Sequence, residues 1–250
     1  MTSLPAWCTL IRADNPSPMT LDGTNTYVLA TSGGNVVVDP GPLLDEHLEA
    51  VAAVGDVALV LLTHGHPDHA ESIERFHEMT GAATLARDPA LCIDADPLTV
   101  DGGTVGMPGL EIRVLHTPGH TSDSVCFEVT DGRSHAVLTG DTILGRGTTV
   151  VAHPDGQLGP YLDSLRRLRT MDGVILLPGH GPVGPDTGRV AAQYLEHRAE
   201  RLEQVRAALD SGATTARDVV EIVYADVDRA LWPAAEASVR AQLDYLRPPD

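Results

Sequence analysis

One short stretch carries more information about this chain than any other, and it reads Leu61-Leu62-Thr63-His64-Gly65-His66-Pro67-Asp68-His69. Residues two apart on an extended segment point the same way, so His64 and His66 can share one metal ion. The turn after Pro67 directs Asp68 and His69 toward a second ion. Imidazole and carboxylate suit Zn²⁺, and also Fe or Mn. A histidine-rich surface loop explains a single H-x-H, but not four ligand-type residues directly behind an apolar strand.

Three later turns each add one candidate ligand. They read His116-Thr117-Pro118-Gly119-His120-Thr121, Thr139-Gly140-Asp141 and Pro178-Gly179-His180-Gly181. Each turn contains glycine and follows an apolar run, which places His120, Asp141 and His180 behind predicted strands. The sequence therefore predicts metal ligands supplied by several strand ends.

Around these turns, short β-rich runs alternate with amphipathic segments, which is typical of an α/β protein. Strands are predicted at 26–30, 35–38, 57–63, 83–86, 110–116, 124–129, 135–138 and 174–177. Helices are predicted at 45–54, 69–79 and 161–169. Gly33-Gly34 predicts a tight hairpin turn between the first two strands.

Beyond His180 the spacing of apolar residues changes from a strand-like to a helical pattern. Apolar residues at near-helical spacing predict a long amphipathic helix that ends at Ser211-Gly212; they are Val190, Tyr194, Leu202, Val205 and Leu209. Thr214 or Thr215 is expected to cap a helix through Val223, and Pro233 to open a last helix running to Tyr245. We therefore divide the chain into a main domain, 1–204, and a small helical domain, 205–250.

Composition narrows the classes of function. The chain has 17 Lys and Arg against 35 Asp and Glu, a net charge of −18, which opposes non-specific binding to nucleic acid and anionic membranes. No apolar run approaches the ~20 residues of a membrane-spanning helix, and the N-terminus lacks a secretory pattern, so we expect a cytoplasmic protein without a membrane partner. Cys8, Cys92 and Cys126 form no C-x-x-C pair and are expected to be reduced and buried.

The four motifs, in this order over about 25–185, resemble those of the metallo-β-lactamase superfamily of metallohydrolases. The resemblance implies a four-layer αββα sandwich with a dinuclear metal site along one edge. The residues that would hold one ion are three histidines: His64, His66 and His120. The residues that would hold the other are one carboxylate and two histidines: Asp68, His69 and His180. Asp141 would bridge the two ions.

The same resemblance implies a mechanism. Two divalent ions, most simply Zn²⁺ with Fe or Mn as alternatives, hold a bridging hydroxide that acts as the nucleophile. Asp141 and Asp68 are the expected catalytic residues, and the sequence leaves open whether Asp68 acts as a ligand or as a base. Asp39, in Val38-Asp39-Pro40-Gly41, matches the family's first strand-end motif and is expected to support the ligands from behind. An ordinary turn aspartate before Pro-Gly is the alternative.

Within the superfamily, the chain most resembles the lactamase-β-like endoribonucleases, which cleave single-stranded RNA. This resemblance rests on the stretches 15–27 and 145–150 and on a tail, ending at 243–246, that resembles a small winged-helix-like domain. A glyoxalase II-like thioester hydrolase uses the same ligands and stays open. A β-lactamase is disfavoured because such enzymes typically lack the bridging aspartate. A non-catalytic metal-binding or redox module is disfavoured because di-iron members commonly replace His66 with glutamate.

Candidate substrate contacts lie outside the metal motifs. Thr24, Asn25, Thr148 and Thr149 can donate hydrogen bonds to a phosphate or carboxylate, with Arg146 as a nearby cation. Tight turns explain the same residues equally well. His197 and Arg198 on the long helix are candidates to face the metals, although a solvated helix face explains them better. We expect a small or short anionic substrate, with single-stranded RNA as one option, and the helical domain as a cleft wall or homodimer surface.

Overall fold

The computed structural model of the chain describes residues 2–247, which contain two five-stranded sheets. The strands of the first sheet, in spatial order, are β1 (Cys8–Arg12), β2 (Asn25–Leu29), β3 (Asn35–Val38), β4 (Val57–Leu61) and β5 (Ala83–Leu85). β1, β2 and β3 run antiparallel, whereas β3, β4 and β5 run parallel. The parallel half brings the carboxyl ends of β3 and β4 side by side.

The second sheet repeats this arrangement from the other end of the chain. Its strands are β6 (Thr104–Met107), β7 (Leu110–His116), β8 (Val125–Thr130), β9 (His135–Gly140) and β10 (Ile175–Pro178), in the spatial order β10-β9-β8-β7-β6. Only β9 and β10 pair in parallel. The carboxyl ends of these two strands are therefore also neighbours.

Residues 2–247 also contain seven α-helices. They are α1 (Asp45–Ala52), α2 (Pro67–Ala70), α3 (Ile73–Thr80), α4 (Leu158–Leu168), α5 (Thr187–Asp210), α6 (Ala216–Val223) and α7 (Trp232–Leu246). None of them combines the length and apolar character needed to cross a membrane.

Alternation along the strands sorts the side chains into layers. Val36 and Val38 face the core between the sheets, together with Phe127 of the second sheet. Val37 faces the opposite way, onto the helix layer that contains Leu48 and Phe76. The second sheet is covered in the same manner by α4 and α5. The layer order is helix, sheet, sheet, helix, so the predicted αββα sandwich is confirmed.

A separate apolar cluster holds the C-terminal helices together. Val205 of α5, Val219 of α6 and Val239 of α7 all belong to it. Thr215 caps α6, because its side chain accepts the backbone N–H of Asp218 in a reciprocal capping box. The predicted division at 204/205 falls within α5, which is one continuous helix.

The structure differs from the predicted elements in three places. β1 and β6 were not predicted, and β6 gives a weak signal because it contains Gly106 and alternates between exposed and half-buried residues. The helix predicted at 69–79 is divided into α2 and α3. Ser72 lies at the break, where its hydroxyl donates to the carbonyl of Gly41, 2.8 Å away. Cys92 is only half-buried, although all three cysteines are free as expected.

Candidate metal centre

The predicted ligands meet at one edge of the sandwich. Asp39 follows β3, the stretch 64–69 follows β4, Asp141 follows β9 and His180 follows β10, while His120 lies in the connection between β7 and β8. Parallel pairing explains the convergence, because the carboxyl ends of neighbouring parallel strands open at the same edge. The two sheets each contribute one such pair of ends.

Three histidines form the first group of ligand atoms. His66 Nδ1 lies 3.1 Å from His64 Nε2 and 3.0 Å from His120 Nε2. His64 is buried, as is His120, and both come from loops supported by backbone hydrogen bonds. The three nitrogens therefore face a common point, and this group is able to hold one metal ion.

Two histidines and an aspartate form the second group. His180 Nε2 lies 3.2 Å from His69 Nε2 and 3.1 Å from Asp68 Oδ2. His69 Nε2 and Asp68 Oδ2 are 3.4 Å apart. This group is also able to hold a metal ion.

Asp141 lies between the two groups. Its Oδ1 is 3.4 Å from the Nε2 atoms of both His69 and His180, and its Oδ2 is 3.7 Å from His120 Nε2. Asp141 Oδ1 is buried and has no hydrogen-bond partner in the part of the chain that the structure describes. An orphaned carboxylate oxygen in such a position is costly unless a cation binds it.

The hydrogen-bond partners of the Nδ1 atoms determine the tautomers of His120 and His180. His120 Nδ1 lies 2.7 Å from the Val150 carbonyl, and His180 Nδ1 lies 3.3 Å from the Gly23 carbonyl. A carbonyl can only accept, so each Nδ1 carries a proton, and in the neutral ring each Nε2 presents a lone pair to the cluster. His69 Nδ1 likewise faces a carboxylate oxygen of Asp39, so the Nε2 lone pairs of neutral His69 and His180, 3.2 Å apart, repel one another unless a cation lies between them. The donor set therefore fits two divalent cations.

Asp39 supports the ligands from behind, at 2% exposure. Its Oδ1 accepts the Thr63 backbone N–H at 2.8 Å, and its Oδ2 accepts the Thr63 hydroxyl at 2.7 Å and His69 Nδ1 at 2.9 Å. The Thr63 hydroxyl in turn lies 3.0 Å from His64 Nδ1. Asp39 thus orients one histidine of each group, and Thr63, which was not among the predicted site residues, links Asp39 to His64. The position of Thr63 directly before the first ligand was the available signal.

Replacing Asp39 with asparagine is expected to lower metal affinity by about 10- to 100-fold, because the amide cannot accept all three hydrogen bonds. Titration against a chromophoric chelator measures the affinity. The matched control is Asp88→Asn, since the Asp88 carboxylate only accepts the backbone N–H of Ala90 in an exposed turn. Wild-type metal affinity in the Asp39 variant would contradict the supporting role.

The electrostatics of the cluster match a cationic ligand. Burial raises the pKa of Asp68, but the hydrogen bond from His180 and the charge of His69 outweigh it and lower that pKa to about 2. Burial likewise opposes a charge on His69, yet the carboxylates of Asp141 and Asp39 raise the pKa of His69 well above its ordinary value. The pKa of the Asp141 carboxyl is held well below its ordinary value, despite burial, chiefly by His69 and His180. Both carboxylates are therefore ionised at neutral pH.

Two predicted substrate contacts prove to be internal supports. Asn25 donates its amide hydrogens to the carbonyls of Pro178 and Gly181, both at 2.9 Å, and is 1% exposed. Thr24 is fully buried, and its hydroxyl donates to Asp68 Oδ2 at 3.2 Å. Their donors are occupied within the protein, so a supporting role replaces the predicted contact with substrate.

The loop after β9 shows the same division of roles. The Thr149 hydroxyl is buried and donates to the carbonyl of Asp141 at 2.7 Å, so it too is an internal support. Thr148 is exposed and borders the cleft. Arg146 borders it as well, and its guanidinium pairs with the carboxylate of Asp22. The predicted nearby cation therefore has a carboxylate partner, in a solvent-exposed ion pair.

Two residues of the long helix α5, His197 and Arg198, differ most from their predicted positions. Arg198 is 5% exposed rather than solvated, and its guanidinium donates to the carbonyl of Thr149. His197 is half-buried and borders a cavity next to the metal cleft rather than the cluster itself. The burial of Arg198 depends on the packing of α5 against the loop after β9, which helical periodicity does not report.

Comparison with known proteins places this site in a family. The model of the metallo-beta-lactamase superfamily matches residues 19–180, and that of the beta-lactamase associated winged helix domain matches residues 215–247. The chain is 32% identical to the beta-lactamase-like protein 2 homolog of Caenorhabditis elegans, over 95% of this chain and 83% of that one. It is 31% identical to the atrochrysone carboxyl ACP thioesterase of Aspergillus fumigatus, over 84% of this chain and 71% of that one.

Solved structures show the same fold. A metallo-beta-lactamase family protein from Thermus thermophilus superposes with a TM-score of 0.81 at 24% identity, covering 98% of this chain and 94% of that one. The fold, the ligand cluster and the family models agree. The chain therefore belongs to the metallo-β-lactamase superfamily of metal-dependent hydrolases.

Proposed function

We propose that this enzyme hydrolyses the thioester bond of a small or short anionic substrate. Two divalent ions, most simply Zn²⁺ with Fe or Mn as alternatives, would be held by the seven clustered ligands: His64, His66, Asp68, His69, His120, Asp141 and His180. When bound, such a pair lowers the pKa of its water and polarises the attacked carbonyl. The enzyme's own residues then have to orient the water and bind the acyl group.

Asp68 is best placed to orient the attacking water. Its side chain is 27% exposed, against 13% for Asp141, so it is the ligand carboxylate more open to solvent. Thr24 donates to one oxygen of Asp68 and holds the carboxylate in place. Asp141, more deeply buried between the two groups, is suited to bridging the ions.

The observation that carries the thioester assignment is the lining of the metal cleft. A cavity of about 220 Å³ borders His120 and Asp141, and its walls include the apolar side chains of Met19, Leu21 and Val150. Apart from His120, none of the described residues lining this cavity is aromatic. Apolar walls suit an acyl chain, whereas single-stranded RNA is typically bound by stacking aromatics and unpaired cations. The relative from Aspergillus fumigatus is named as a thioesterase, which supports the assignment.

Hydrolysis of a phosphodiester in single-stranded RNA is the second candidate. Residues from both stretches that resemble the endoribonuclease subgroup, 15–27 and 145–150, line the cleft together, and Asp22 of the first stretch pairs with Arg146 of the second. A site that clamps an attacked centre between two ions also suits phosphoryl transfer. The net charge of −18 disfavours a long polyanion, so this candidate ranks below the thioester.

A substrate panel separates the candidates. The purified protein, loaded with Zn²⁺, Mn²⁺ or Fe²⁺ and checked by elemental analysis, is assayed with S-lactoylglutathione, acyl thioesters of N-acetylcysteamine, bis(p-nitrophenyl) phosphate, single-stranded RNA and nitrocefin. Thioester turnover that a chelator abolishes and added metal restores is the expected result. RNA or phosphodiester cleavage with no thioester turnover would replace the proposal with the second candidate.

A further inference from the structure

A second cavity adjoins the metal cleft. It has a volume of about 300 Å³ and lies between the segment around Met19, the loop after β9, and helices α5, α6 and α7. We call it the interdomain cavity. Its wall shares Pro18, Met19, Thr148, Thr149 and Val150 with the metal cleft. The interdomain cavity therefore lies directly beside the metal cleft.

The charge of this cavity opposes that of the protein. Three basic side chains line it, His197, Arg198 and Arg201, and no Asp or Glu is among its described lining residues. The whole chain, by contrast, carries about twice as many acidic as basic residues, 35 against 17. The lining of the interdomain cavity therefore differs in charge from the rest of this acidic chain.

Arg198 is the centre of the positive region. Its side chain is buried, it donates to the Thr149 carbonyl, and its guanidinium carbon lies 5.1 Å from the centre of the Tyr161 ring. Its Nε has no hydrogen-bond partner, and within residues 2–247 no carboxylate forms an ion pair with it. A buried cation without a counter-charge is destabilising, because burial removes its hydration without supplying an opposite charge. Such a cost is offset when an anion binds.

Arg201 adds a second cation one helical turn further on. Its guanidinium donates to the Val223 carbonyl at 3.1 Å and lies 4.4 Å from the centre of the Tyr224 ring, which holds it against the cavity. Burial, followed by the charges of Arg198 and Arg201, lowers the pKa of His197. His197 is thus a neutral hydrogen-bonding group in a positive field.

We propose that the interdomain cavity binds an oxyanion, a carboxylate or a phosphate, at the far end of the thioester substrate, with Arg198 and Arg201 as its charge partners. This inference rests on the proposed thioester hydrolysis. The oxyanion belongs either to the acyl part, as in the thioester of a dicarboxylic acid, or to the thiol part, as in a phosphorylated thiol. Apolar walls between the metal centre and the arginines then contact the connecting chain.

Two matched substrate pairs test the proposal and identify the source of the oxyanion. Glutaryl and pentanoyl thioesters of N-acetylcysteamine have the same chain length and differ in a terminal carboxylate. Acetyl-4′-phosphopantetheine and acetyl-pantetheine differ in a phosphate on the thiol part. We expect kcat/KM to favour the anionic member of one pair by about tenfold or more, mainly through KM. A preference within the glutaryl pair would place the oxyanion on the acyl part of the substrate. A preference within the phosphopantetheine pair would place it on the thiol part.

The arginine variants assign the preference to the cavity. Arg201→Gln and Arg198→Gln are expected to bring the ratio of the two kcat/KM values close to one. Arg206→Gln is the matched control, because Arg206 is an exposed arginine on the same helix that pairs with Glu203. Arg201 is only half-buried, so Arg201→Gln is expected to fold. It therefore tests the proposal even if Arg198→Gln does not fold.

Direct binding separates this inference from the proposed function. Calorimetry with glutarate and with inorganic phosphate on the metal-loaded protein should show weaker binding of one anion to Arg201→Gln than to wild type, since binding at the metals is common to both. That result without any thioester turnover would refute the thioester assignment and support the anion site. Thioester turnover with no anionic preference, and equal anion binding by wild type and both variants, would overturn the anion site alone.

Discussion

Replacing Asp141 with alanine is expected to lower kcat by at least about 100-fold on whichever substrate the wild-type enzyme turns over. Loss of a residue that only supports a metal ligand costs up to about 100-fold, and Asp141 would touch both ions directly. Its Oδ1 has no hydrogen-bond partner among residues 2–247, so the fold loses little. Elemental analysis should find fewer than two ions per chain, while the melting temperature of the chelator-treated protein stays near that of wild type.

Asp14→Ala is the control for this experiment, because Asp14 is an exposed aspartate outside the cluster. It should leave kcat and metal content unchanged. Two bound ions and wild-type turnover in the Asp141 variant would exclude a bridging role. A variant that simply unfolds would instead show a large drop in melting temperature without metal, which distinguishes a structural loss from a catalytic one.

A single methyl group at Gly179 is expected to be almost as damaging as the loss of a ligand. A Cβ at this position would lie 2.6 Å from Asp141 Oδ1 and 2.7 Å from His69 Cε1, closer than real Cβ atoms come to their neighbours. Gly179 cannot move away easily, because its N–H donates to Gly140 and its carbonyl accepts from Asn25. Both metal ligands must therefore shift. Displacements of about 1 Å cost about 100-fold in rate.

The measurement is kcat and metal content of Gly179→Ala, with Gly106→Ala as the matched control. Gly106 lies in β6, and a Cβ there would meet nothing within 4 Å. The Gly179 variant should lose activity and metal affinity, whereas the Gly106 variant should match wild type. Full activity of Gly179→Ala would show that the cluster has more room than the structure gives it.

Residues close to a strand end were the predictable part of this site. The first four ligands follow β4 directly, and Asp141 and His180 stand behind β9 and β10, so local apolar runs were enough to locate them. Eight of the ten strands, all except β1 and β6, were predicted for the same reason, since alternating apolar residues such as the valines of β3 mark both faces of the sheet. β6 was not predicted because an exposed edge strand that contains a glycine buries too little apolar surface to give an alternating hydrophobic pattern.

The amino-acid sequence by itself determined the ligand types, their order along the chain and the capping region of α6, because each depends on a few neighbouring residues. Only the tertiary structure decided how those residues are used. Asn25 bonds carbonyls more than 150 positions away, and Arg198 is buried against Thr149, 49 positions earlier. The proton positions of the histidines and the positive cavity beside the metal cleft likewise arise from segments that meet only on folding. Packing between distant segments leaves no local signal, which is the physical reason why sequence patterns placed the metal ligands but not the side chains around them.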